Sequence, residues 1–162
     1  SIKTKIKAIP ADSNAMVWFG HSSFFLQLDG VKIMVDPVFS GTASPFPWGL
    51  KSYKGSDVYT VDDMPEIDYM LLSHDHYDHL DYETVKALQP KVKFVVCGLG
   101  AGAHYERWGY TPQQMVVTAT VLKMLLKNIL QLTGQLWSVV STIKPGNRCT
   151  NCPKKWHWQQ QN

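Results

Sequence analysis

Acidic residues are missing from one end of this chain. Residues 1–118 carry 10 Lys/Arg against 13 Asp/Glu, a net of −3, whereas residues 119–162 carry 6 Lys/Arg and no acid, a net of +6. Charge asymmetry on this scale divides the chain into two unlike pieces that meet near residue 119. Cysteine is scarce as well. Cys97, Cys149 and Cys152 are too few and too unevenly spaced for a disulfide framework, which points to a reducing, cytoplasmic setting. No apolar run approaches the roughly 18 residues of a membrane-spanning helix, and no N-terminal signal pattern is read. Internal repeats are absent too, which excludes a solenoid. With 162 residues and 44% hydrophobic content, one domain with a real core is expected.

What is present in residues 1–118 has a legible order. Met16 to Phe19, Phe24 to Leu28 and Lys32 to Val35 are β-rich runs, and Asp29-Gly30 between the last two is a hairpin signal. The stretch "SGTASPFPWGLKSYKGSD" is rich in Gly, Pro and Ser and carries Phe46, Trp48 and Tyr53, so a long surface loop is expected. "IDYMLLS" is an almost wholly apolar strand. "DYETVKALQ" is a short helix with Asp81 as N-cap, ended by Pro90. "KVKFVVCGLG" is a further strand and "AGAHYERWG" a second helix. The alternation of strand and helix is an α/β rhythm.

Histidine is also rare, six in 162 residues, yet three of the six fall within "LLSHDHYDHLD", residues 71–81. The cluster follows a buried strand and precedes a helix, where α/β proteins place ligand sites. His74 and His76 are two residues apart, so on extended backbone they point to one side. Asp78 and His79 sit where the chain turns into the helix and can aim at a second point close by. Imidazole and carboxylate donors together suit zinc first, and iron or manganese as well. Two ions at such a separation share a bridging hydroxide, a strong nucleophile at neutral pH. Folding alone requires no such set of side chains here.

"SHDHYDHLD" resembles the metal motif of the metallo-β-lactamase superfamily. "VWFGHSSFFLQLDGVKIMVDPVFSGTASPFPW" is similar to the branch containing N-acylphosphatidylethanolamine-hydrolysing phospholipase D and its bacterial relatives. The resemblance runs from about Met16 to Gly109. It implies an αββα sandwich, of which residues 1–118 would form the N-terminal part and residues 119–162 a divergent basic tail. It further implies that His74 and His76 hold a first metal, that Asp78 and His79 hold a second, and that Asp78 orients or deprotonates the bridging water. Asp36, in "VDP", matches the acidic residue that supports the metal loop from behind; a turn-capping Asp before proline is the alternative. His21 in "GHSS" and His104 in "GAHYERWG" are site-proximal candidates.

Family members carry further ligands downstream, among them a bridging aspartate. After Thr118 this chain offers no acid, and its one histidine there is His157. Instead, "TVLKMLLKNILQLTGQLWSVVSTI" has helical apolar spacing over about 121–143 and then gives way to an irregular stretch. That helix would cover the sheet or, as a basic amphipathic face with Lys123 and Lys127, touch a membrane. Cys149, Cys152 and His157 imitate part of a zinc knuckle. The leading expectation is a metal-dependent hydrolase of phosphodiesterase or phospholipase D-like type, using a metal-bound hydroxide on a small-molecule or lipid phosphodiester, with peripheral membrane contact and oligomerisation open. The alternatives are a metal-binding but catalytically inactive truncated homologue, and a nucleic-acid binder working through the basic tail. Six positive charges and two nearby tryptophans make that last reading the weakest.

Overall fold

In the computed structural model, residues 3–42, 51, 57–117 and 156–159 are described, the last four as backbone only. Among the described residues of 14–117 there are six strands: β1 (Asn14–Gly20), β2 (Ser23–Leu28), β3 (Val31–Val35), β4 (Ile67–Leu71), β5 (Val92–Cys97) and β6 (Met115–Val117). Helix α1 (Tyr82–Leu88) joins β4 to β5, and α2 (Gly102–Arg107) joins β5 to β6. A further strand, β7 (Trp156–Gln159), pairs in parallel with β1, so the sheet runs β6-β5-β4-β3-β2-β1-β7. No strand is expected there from the sequence, and its pairing is a finding of the structure.

The sheet is mixed. β1, β2 and β3 form an antiparallel meander, and β3 to β6 run parallel. The Asp29-Gly30 turn is a two-residue loop between Leu28 and Val31 with φ of +46° and +83°. Positive φ at both central residues is what a turn matching the right-handed strand twist requires, and Asp-Gly meets that at low cost. The β1–β2 turn, His21-Ser22, is equally tight, and a register shift between Trp18 and Gly20 marks a bulge just before it. Bulges re-aim the residues that follow them.

Period-two alternation sends Val17, Phe19, Phe25, Met34, Met70, Val95 and Cys97 to one face, where they join Val85, Leu88, Tyr105 and Tyr110 in the main core. The opposite face gathers Leu26, Val35, Leu71 and Val96, with Met16, Phe24 and Ile33 against them. Asp81 stands at the N-cap position of α1, as expected, but its side chain does not cap the helix. The carboxylate instead accepts from the backbone N–H groups of Ser40 (2.9 Å) and Phe39 (3.2 Å) and from the Thr84 hydroxyl. It therefore ties the loop after β3 to the helix. Pro90 lies in a single 3-10 turn, Gln89–Lys91, that follows α1 directly.

The expected aromatic loop residues Phe46, Trp48 and Tyr53, the helix over about 121–143, and Cys149 and Cys152 lie outside the described residues, as does the side chain of His157. Among the described residues no helix is long and apolar enough to cross a membrane.

Candidate metal centre

Adjacent parallel strands deliver the site. Asp36 follows β3 and Ser73 follows β4 by two residues, and the ladder continues past both strand ends through Asp36 N–H to Leu71 O (3.0 Å) and Leu72 N–H to Val96 O (2.9 Å). Asp36 is 2% exposed and adopts φ +42°, a conformation that Asp tolerates better than most residues. Its carboxylate is the centre of a network. Oδ1 accepts the Ser73 N–H at 2.8 Å, and Oδ2 accepts the Ser73 hydroxyl at 2.6 Å and His79 Nδ1 at 2.8 Å.

This network decides which nitrogen of each ring is free. A carboxylate only accepts, so His79 Nδ1 carries the proton and Nε2 keeps its lone pair. The Ser73 hydroxyl gives its hydrogen to Asp36, so towards His74 Nδ1, 3.0 Å away, Ser73 Oγ accepts. His74 Nε2 is left with its lone pair directed at His76 Nδ1, 3.1 Å away. One buried carboxylate thus orients His79 directly and His74 at one remove, which is how residues behind a metal site hold its ligands.

The turn 76–80 closes with His79 N–H and Leu80 N–H both donating to His76 O, at 2.9 and 2.7 Å. That turn brings Asp78 Oδ2 to 3.6 Å from His79 Nε2. Burial pushes the Asp78 carboxyl upward, but its own backbone N–H and the neighbouring imidazoles of His79 and His21 outweigh this and hold it below the usual carboxylate range. The imidazoles crowd together, with ring centroids 3.8 Å apart for His74 and His79 and 4.5 Å for His74 and His76.

The donors fit a divalent transition-metal ion. Bonds of about 2.0–2.1 Å in tetrahedral arrangement place neighbouring ligand atoms roughly 3.3–3.4 Å apart. The His74–His76 separation of 3.1 Å and the Asp78–His79 separation of 3.6 Å bracket that distance.

Of the other candidates, His21 reaches the cluster, with Nε2 2.9 Å from Asp78 Oδ2. His104 does not belong to it; the ring lies on α2, 5.6 Å from that of Trp108. Two contributors escape a reading of the sequence, Ser73 and Ser22, whose Oγ lies 3.0 Å from His79 Nδ1. Ser22 stands beside His21 in "GHSS" and Ser73 beside His74, so adjacency to a candidate histidine was the one available signal.

Residues 15–143 match the beta-lactamase superfamily domain. N-acyl-phosphatidylethanolamine-hydrolyzing phospholipase D 1 of Caenorhabditis elegans is 41% identical over 87 residues, 51% of this chain and 24% of that protein. A metal-dependent hydrolase of Caldivirga maquilingensis is 33% identical over 63 residues, 39% of this chain and 22% of that one. Among solved structures, a diiron beta-hydroxylase from Streptomyces venezuelae is 29% identical with a TM-score of 0.48, over 67% of this chain and 21% of that chain. The chain spans 15% to 35% of the length of the curated relatives it matches.

Proposed function

This chain belongs to the beta-lactamase superfamily, and on that premise we propose that it is the metal-holding part of a metal-dependent hydrolase acting on a phosphodiester, with a lipid phosphodiester as the substrate class. His74 and His76 would hold one ion, and Asp78 and His79 its neighbour. The observation that carries the reading is the Asp36 carboxylate, which fixes the tautomers of His74 and His79 before any ion arrives. A ring held in this way gives up little rotational freedom on binding. The substrate class rests on the phospholipase D relative; zinc is proposed ahead of iron or manganese on the donor set.

When bound, the ion supplies Lewis-acid polarisation of the scissile group and activation of water. Asp78 would serve as a ligand, its carboxylate oxygen lying 3.6 Å from His79 Nε2. Half-exposed at the mouth of the cluster, Asp78 is also placed to orient a water. Asp36, buried beneath the cluster, touches no substrate and acts by positioning.

Protein purified without chelator should contain zinc, iron or manganese. Hydrolysis of bis-nitrophenyl phosphate should disappear with chelator and return on adding the metal. Equal hydrolysis before and after complete metal removal would overturn the reading.

A further inference from the structure

We infer that His21 is a third ligand to the ion held by Asp78 and His79, an assignment that rests on the metal-site reading above. His21 is 57 residues from Asp78 in sequence, and the hairpin tip between β1 and β2 carries it over the metal loop. One ligand atom from each of His21, Asp78 and His79 lies within 4.8 Å of the other two. In the ion-free protein His21 Nε2 donates to Asp78 Oδ2 at 2.9 Å, and an ion would take the place of that proton. This distance and the 3.6 Å from Asp78 Oδ2 to His79 Nε2 flank the roughly 3.3–3.4 Å expected of neighbouring ligand atoms on one ion. His74 and His76 form a two-point site by comparison.

The backbone is arranged to present this side chain. His21 has φ +48°, the left-handed region that a residue with a Cβ rarely adopts. The bulge at the end of β1 aims the tip, Trp18 Nε1 donates to His21 O at 2.9 Å, and Ser22 Oγ meets His79 Nδ1 at 3.0 Å. A left-handed residue between a bulge and a tethered neighbour, its own carbonyl held by Trp18, is the pattern seen where local geometry serves a site. The ring is 57% exposed on its side chain and Asp78 41%, against 13% for His79. The three donors therefore form a cup with its open side to solvent, where water and substrate arrive.

The same backbone supplies a clean test. Glycine favours positive φ, so His21→Gly removes the imidazole while easing the turn, and the ion-free protein should melt no lower than wild type. Full-length wild type and His21→Gly are titrated with Co²⁺, following d–d absorption and competition with a chelator. The expected result is a changed absorption spectrum and a loss of affinity of about 100-fold or more, beyond the tenfold to 100-fold typical of losing a hydrogen-bonding neighbour of a ligand. Added imidazole should restore both. An unchanged spectrum, with or without weaker binding, would overturn the assignment, since His21 would then act on Asp78 from outside the coordination shell. Wild type that takes up no cobalt would instead overturn the metal-site reading itself.

Discussion

His79 and His76 lie three residues apart in one turn and have opposite surroundings. The ring of His79 is 13% exposed, with Nδ1 held by the buried Asp36 at 2.8 Å and Ser22 beside it at 3.0 Å. The ring of His76 stands in solvent, and its Nδ1 faces another candidate ligand, His74 Nε2, at 3.1 Å. A ring already fixed binds an ion without ordering itself first. One that rotates freely must give up that freedom, a cost of order 0.5–1.5 kcal/mol for an immobilised side chain. The inner half of the cluster should thus set affinity, and the outer half should complete a site that exists already.

The largest effect should come from the shared anchor. Asp36→Ala leaves the Ser73 N–H without its acceptor and His79 Nδ1–H with only serine hydroxyls beside it. An unpaired buried group costs about 1–3 kcal/mol, so a loss of that order in denaturant unfolding is expected together with loss of metal. Asp36→Asn tolerates the same positive φ and should remain folded while binding metal about tenfold more weakly. Full affinity in a folded Asp36→Asn protein would erase the distinction between the two halves.

A smaller effect should separate the two histidines themselves. In chelator competition, His79→Ala should lose roughly ten times more affinity than His76→Ala, since about 1.4 kcal/mol of difference corresponds to one factor of ten. Equal losses would mean that orientation before binding contributes nothing. The smallest change is expected at a ligand-type side chain that burial has silenced. Cys97, at the end of β5, is fully buried, and desolvation pushes its thiol up to about 11. At pH 8 roughly one thiol in a thousand is then ionised. Native protein should react with an aromatic disulfide reagent at Cys97 far more slowly than denatured protein, and metal should leave that rate unaltered. Protection that appears only with metal would bring Cys97 into the site.

Strands β1 to β5 were legible because alternation, apolar runs and the Asp-Gly turn are local signals, and the His-rich turn because five ligand-type residues crowd six positions after a buried strand. The partners of those residues were not. His21 meets Asp78, and Ser22 meets His79, across 57 residues of sequence, and the hairpin tip arrives there only once β3 has paired with β4. Ser73 reads as an ordinary polar residue at a strand end, and nothing local reveals that its hydroxyl relays Asp36 to His74. Asp81 misleads in the opposite sense. It has the sequence position of a cap, but tertiary structure offered its carboxylate two backbone N–H groups from the loop after β3.

The change of strand direction at β3 has a kinetic consequence. The meander of β1, β2 and β3 is joined by two-residue turns, and such hairpins close in about 1–10 μs. The parallel pairing of β3 with β4 must first close the long connection between Val35 and Ile67, an entropic toll that slows non-local sheets. His21 and Asp36 ride on the early part, whereas the cluster from His74 to His79 arrives with the late one. No ion-holding geometry exists until that slower step is complete. Metal therefore stabilises the finished sheet by mass action and leaves the speed of its assembly to chain topology.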